Sequence, residues 1–212
     1  NHRLVFSINA ERVFSFEPLP EVFQLLEKNV RQNKVKNILP INVALSDVNE
    51  EQFMYLSLNG NVGGSSFDNH GGNSKRTKVI CQRGDDWVAS HAVDKIDFIK
   101  IDVEGHESFV LEGLQETLLQ QRPIIMLEWA EKEGVDRLKK SSVFNQLLTS
   151  YSVCVLGTNH DKSYRANNFI GKLQRKIVKN IVRKRSVLYP FDSNELYNNI
   201  LLVPNERKEL IF

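Results

Sequence analysis

Apolar positions along the chain switch repeatedly between a spacing of two and a spacing of about 3.6, the signature of alternating strands and helices. Residues 12–17 (RVFSFE) read as a short strand. Pro20 then stands where a first helical turn tolerates proline, and Val22, Leu25, Leu26 and Val30 follow at helical spacing toward Asn33. Residues 38–45 (ILPINVAL) predict a second strand, weakened at its start by Pro40. Residues 52–58 (QFMYLSL) alternate as a half-exposed strand, 59–73 form a loop rich in Gly, Asn and Ser, 78–82 predict a further short strand, and 86–91 a short helix. The clearest buried-strand signal is 96–103 (IDFIKIDV). After Gly105 comes a helix whose apolar face is Val110, Leu111, Leu114 and Leu118, and residues 123–129 (PIIMLEW) predict another buried strand. Residues 141–149 read as helix, 151–156 as strand, and 199–203 (NILLV) as a last strand. This alternation predicts an α/β fold with a mostly parallel sheet and helices on both faces. Ligands of such folds sit at the carboxyl ends of strands, so the polar residues that close apolar strands are the ones to examine.

At 212 residues and 24.4 kDa the chain supports one core, read as a single domain over 1–212. With 41% hydrophobic and 25% charged residues, disorder, collagen and coiled coil are excluded. No apolar run approaches the roughly 18 residues of a membrane-spanning helix. Cys81 and Cys154 do not make a disulfide scaffold, and the first ten residues lack a signal-peptide pattern, so a reducing, cytoplasmic setting is expected.

Charge changes the picture in one place. Nine of the 28 basic residues fall in the acid-free stretch 162–191, which leaves 19 basic residues against all 26 acidic ones elsewhere. Ile170, Leu173, Ile177 and Ile181 lie at helical spacing there and predict a basic helical insertion over about 165–186. It reads as an inserted helix with a solvated basic face, as a lid that attracts an anionic acceptor, or, through 172–185, as a contact with an anionic membrane surface. Nucleic acid is not expected as a partner, because the remaining body is acidic.

Three strand ends carry candidate chemistry. Glu17 closes the first strand in FSFEPLP, where a carboxylate can accept hydrogen bonds from both hydroxyls of a ribose; Pro18 would stiffen the turn. The alternative is a surface acid near the start of the next helix. Asp102 closes the 96–103 strand, with Glu104 and Glu107 following in DVEGHE. Three acids so close repel unless water, a cation or a basic ligand intervenes, although Glu104 and Glu107 could simply cap a helix. Glu128 closes PIIMLEW and would lie near Asp102; such a pair could deprotonate a hydroxyl or hold a divalent cation, or Glu128 could be a core-edge acid paired with a base. His106 is either a general base or a solvated or capping residue. No zinc spacing, Walker motif, G-x-S-x-G or G-x-G-x-x-G is present.

The pieces RVFSFEPLPEVFQLLEKNVRQN, INVALSD, GGSSF, IDFIKIDVEGHESFVLEGL, PIIMLEW and NNILLVP, in this order from Arg12 to Pro204, resemble the FkbM-type methyltransferase family. The resemblance implies a Rossmann-like O-methyltransferase that uses S-adenosylmethionine and acts on a hydroxyl of a sugar, glycan or natural product. It implies that Glu17 and Pro18 hold the cofactor's ribose, that Val43, Ala44 and Leu45 lie against adenine, and that Asp102 sits near the methionine moiety. Asp102, Glu128 and Glu104 are then the catalytic candidates, with Ser65, Ser66, His106 and Glu107 on the acceptor side. A strand ending in an acid and a glycine-rich turn precede this set in the family, and no such element stands before Arg12. The chain, opening at Asn1, is expected to be either an N-terminally truncated piece or a degenerate member without that element, and the truncated piece is the favoured reading. The rival reading is a catalytically inactive binding module on the same fold; a nicotinamide dehydrogenase is disfavoured by the missing glycine motif.

Overall fold

The structure, a computed structural model, describes residues 10–56, 65–68, 75–158 and 186–210. It divides into two units, Asn1–Asp94 with Glu104–Leu118, and Lys95–Val103 with Leu119–Phe212.

In the first unit β1 (Val13–Phe16) and β2 (Ile38–Ile41) pair in parallel, Val13 opposite Ile38 through Phe16 opposite Ile41. They are joined by α1 (Pro20–Gln32), which starts on Pro20 with Glu21 in its first turn, where negative charge suits the helix dipole. The single strand expected over 38–45 is two. β2 ends at Ile41, and β3 (Ala44–Ser46) joins a separate sheet of order β3-β5-β4, parallel to β5 (Arg76–Arg83), which pairs antiparallel with β4 (Glu50–Tyr55). Leu19, Ala44, Met54, Val79 and Cys81 form this unit's core, with Val22, Val48, Leu56 and Phe67 packed against it. Burial pushes the Cys81 thiol up to about 11, with Glu50 and Asp47 adding to the effect, so it stays protonated at neutral pH. α2 (Gly84–Ser90) buries Trp87, whose ring meets Phe14 and Phe16 edge-on at 4.9 and 4.8 Å.

The helix expected after Gly105 is also two: α3 (Glu107–Gly113) and α4 (Gln115–Gln121). The break at Leu114 is stabilised by Asp85. Its carboxylate accepts the backbone N–H groups of Glu116 and Thr117 at 3.0 and 2.9 Å, satisfying orphan donors at the start of α4. Arg83 holds the same carboxylate at 3.0 Å. Asp85→Ala is therefore expected to lower stability by about 1–2 kcal/mol, read from the urea midpoint at unchanged slope. A change under a few tenths would show that the cap contributes nothing.

In the second unit β6 (Phe98–Ile101) runs parallel to β7 (Ile124–Trp129). β10 (Tyr197–Pro204), β8 (Tyr151–Thr158) and β9 (Ser186–Pro190) complete the order β6-β7-β10-β8-β9 by antiparallel pairings. Alternate residues Ile125, Leu127, Trp129, Ile200 and Leu202 are fully buried. So are Leu138 of α5 (Lys132–Lys140) and Val143, Phe144 and Leu147 of α6 (Ser142–Ser150), with the Trp129 and Phe144 rings 5.5 Å apart. Met126, Cys154, Leu201 and Val203 form a second apolar cluster.

The α/β class stands, but the sheets are mixed rather than mostly parallel: three of the seven strand pairings among the described residues are parallel. β6 is less buried than its run of apolar residues suggests. It lies at the end of the strand order, with Phe98 and Lys100 exposed and Ile101 buried. Ser186, the last residue of the expected insertion, starts β9; the basic segment 165–185, like residues 1–9 and most of the 59–73 loop, lies outside the described residues. Among the described residues no helix is long and apolar enough to cross a membrane.

Candidate functional site

β1 and β2 end together, and the chain beyond them is tied into one rigid turn. The Glu17 N–H donates to the Ile41 carbonyl at 3.0 Å, the last rung of the ladder. Pro18 fixes its own φ and has no donor to place. The Leu19 N–H turns back to donate to Glu17 Oε1 at 3.1 Å. From the end of β2 the Asn42 amide nitrogen donates to the carbonyls of Glu17 and Pro18, at 2.8 and 3.0 Å. The half-buried Glu17 carboxylate is thus an oriented acceptor at the carboxyl end of a parallel strand. Val43 and Leu45 nearby in sequence are half-buried, whereas Ala44 buries its methyl in the core beside Leu19. Of these three, Val43 and Leu45 keep surface for a ligand.

A second cluster in the same unit is built on residues 104–107. Glu104 and Gly105 have φ of 52° and 93°, and the left-handed conformation at Glu104 costs an ordinary residue roughly 1 kcal/mol. Side chains offset that cost. The Ser66 hydroxyl donates to the Glu104 carbonyl at 3.0 Å, and Glu107 Oε1 accepts the Gly105 N–H at 3.1 Å. Ser66 is itself fixed by backbone bonds with Tyr55 at 2.8 and 3.1 Å. The His106 ring stacks on Phe109 and meets Phe67 at a tilt, centroids 4.5 and 4.3 Å away. Its Nε2 lies 3.0 Å from Ser46 Oγ, and the Ser46 hydroxyl donates to Asp47 Oδ1 at 3.1 Å. Ser65, Ser66, His106 and Glu107 are all buried. The turn they stabilise, rather than their own exposed surface, is what the structure presents.

The second unit holds the other two candidates. Ile101 pairs with Leu127 as the last rung of the β6–β7 register; Asp102 is the next residue after β6 and Glu128 the next residue of β7, and β10 sets Asn199 opposite Glu128. The Lys100 ammonium is ion-paired with the Asp102 carboxylate, and both side chains remain about one-third exposed. The repulsion expected among Asp102, Glu104 and Glu107 is met locally: Asp102 has Lys100, and Glu107 has the Gly105 N–H. Among the described residues no group of three His, Cys, Asp or Glu side chains is arranged to hold a metal ion.

Two residues of the site escaped the sequence reading. Lys100 was legible in principle, because i and i+2 share a strand face in KID. Asn42 was not, because the carbonyls it meets lie 25 and 24 residues earlier, past the end of β1.

Residues 4–149 match the family model for the methyltransferase FkbM domain. The chain is 29% identical over 160 residues to the hexuronic acid methyltransferase AglP of Haloferax volcanii; the match covers 76% of this chain and 63% of that relative's length. A crystal structure of methyltransferase FkbM from Methylobacillus flagellatus KT is similar with a TM-score of 0.48 and 15% identity, over 91% of this chain and 36% of that one.

Proposed function

Since this chain belongs to the FkbM methyltransferase family, we propose that it is an S-adenosylmethionine-dependent O-methyltransferase whose acceptor is a hydroxyl of a sugar, glycan or natural product. The observation that carries this reading is the Glu17 carboxylate, held at the end of β1 by the Leu19 N–H in a turn braced by Asn42. An acceptor fixed in that position suits the two hydroxyls of a ribose, and the half-exposed Val43 and Leu45 supply apolar surface for a purine.

The bound sulfonium supplies a methyl group that is already activated. The protein's task is then to align an acceptor oxygen in line with it. Asp102, the residue after β6, and Glu128 of β7, the residue after the last β6–β7 pair, are the carboxylates to accept the hydroxyl proton and orient the acceptor. Lys100 pairs with the Asp102 carboxylate and restrains its position. Sugar hydroxyls are poor acids, so orientation contributes more than proton removal ahead of transfer. The hexuronic acid in the name of the Haloferax relative supports a carbohydrate as the acceptor class to try first.

The test is incubation of the chain with S-adenosylmethionine and a panel of hexuronic acid glycosides, read by mass spectrometry for one added methyl. Methylated product that falls in Asp102→Asn and falls further in Asp102→Ala is the expected result. Failure to bind S-adenosylhomocysteine at millimolar concentration would overturn the reading. Tight binding with no methyl transfer to either the hydroxyls or the carboxylate of any acceptor would instead mark an inactive binding module, and loss of the added methyl on mild alkaline hydrolysis would mark an ester and overturn the hydroxyl assignment.

A further inference from the structure

Asn42 stands in the INVALSD stretch beside Val43 but has no cofactor or catalytic role of its own, yet it makes two of the bonds that shape the turn after β1. The carbonyls of Glu17 and Pro18 lie beyond the β1–β2 ladder, whose last rung is the Glu17 N–H to Ile41 bond at 3.0 Å. Backbone acceptors that leave a ladder need another donor. The Asn42 amide nitrogen supplies it to both, at 2.8 and 3.0 Å, across 25 and 24 residues of sequence. One NH2 group with two donors fits two consecutive carbonyls; a hydroxyl has one donor and a carboxylate none. These bonds fix the peptide planes on either side of Pro18. The second plane carries the Leu19 N–H that holds Glu17 Oε1 at 3.1 Å. Asn42 therefore controls the aim of a carboxylate that it does not itself touch.

We infer that Asn42 is a positioning residue for nucleoside recognition: it sets the orientation in which the Glu17 carboxylate receives the ribose hydroxyls of the cofactor. This rests on the reading of Glu17 as the ribose acceptor. It also predicts a selective defect. A misaimed carboxylate loses the contribution of the hydroxyls and leaves adenine and methionine contacts as they were.

The test uses the full chain, S-adenosylhomocysteine, and its analogue lacking the ribose 2′-hydroxyl, with affinities from calorimetry. In the unaltered protein the hydroxyl should favour the natural ligand by about tenfold, a difference typical of one hydrogen bond to a charged group. Asn42→Asp, which keeps the shape and removes both donors, should erase most of that preference by weakening the natural ligand about tenfold and the analogue little. In a Glu17→Gln background the same substitution should add almost nothing, since coupled residues are non-additive. Asn42→Ser, with one donor, should fall between, and replaces Asn42→Asp if that variant does not fold. Equal weakening of both ligands, or full additivity with Glu17→Gln, would show that Asn42 is merely structural and overturn the inference. No binding by the unaltered chain would remove the Glu17 reading itself, and the inference with it. Normal binding, a normal Glu17→Gln defect and indifferent Asn42 variants would remove the inference alone.

Discussion

Glu17→Ala is expected to weaken S-adenosylmethionine about 100-fold. Hydrogen bonds to a charged group contribute roughly 1.5–3 kcal/mol each, and a carboxylate facing two ribose hydroxyls loses at least one full bond and part of another. At about 1.4 kcal/mol per tenfold, a loss near 3 kcal/mol gives that factor. The substitution also removes the acceptor for the Leu19 N–H, so some loss of stability is expected alongside. Glu17→Gln separates the two effects. It keeps an oxygen for Leu19 but loses the charge, and should cost about tenfold in affinity with little change in stability. In steady-state kinetics the defect should fall on the KM for the cofactor more than on kcat. Calorimetry showing an unchanged dissociation constant for Glu17→Ala would dismiss a ribose role.

The second large effect concerns stability. Gly113 closes α3 where that helix crosses β3, and a Cβ built there would lie 1.8 Å from the Ser46 carbonyl oxygen and 2.6 Å from its carbon. Both are backbone atoms and cannot rotate away, so the helix and strand must separate. Gly113→Ala should cost about 3 kcal/mol, at the upper end of the overpacking range, or leave the chain insoluble. At roughly 2–4 °C per kcal/mol for a chain of this size, the thermal midpoint should fall by about 6–12 °C. The sign is informative, because alanine is the better helix former by about 1 kcal/mol. An unchanged or raised midpoint would mean that α3 and β3 do not approach so closely. Ser46 also holds His106, so Gly113→Ala should disturb the 104–107 turn as well as the core.

Local pattern was enough for much of this molecule. Pro20 and the spacing of Val22, Leu26 and Val30 located α1, and RVFSFE located β1 with Glu17 just past its end. The break between β2 and β3 was hidden, because the residue that marks it, Asn42, bonds to carbonyls laid down 24 and 25 residues earlier. α5 was missed because only Val135 and Leu138 interrupt its polar sequence apart from Gly134. Strand direction was illegible too: NILLV announces a buried strand but does not say that β10 lies antiparallel between β7 and β8. Of the three residues read as closing strands, Glu17 and Asp102 directly follow β1 and β6 and Glu128 is the penultimate residue of β7, because placing them needs only a strand and its terminus. The surroundings of His106 needed tertiary structure. Its aromatic neighbours Phe67 and Phe109 and its Ser46 partner come from different elements, and they bury a ring that the sequence left open as either a base or a solvated residue.

The most direct measurement is a crystal structure of this chain with S-adenosylhomocysteine. The nucleoside should lie beyond the carboxyl ends of β1 and β2, with a ribose hydroxyl about 2.5–3.0 Å from a Glu17 carboxylate oxygen. A ligand seated elsewhere, with the Glu17 carboxylate making no contact to its ribose, would contradict the account.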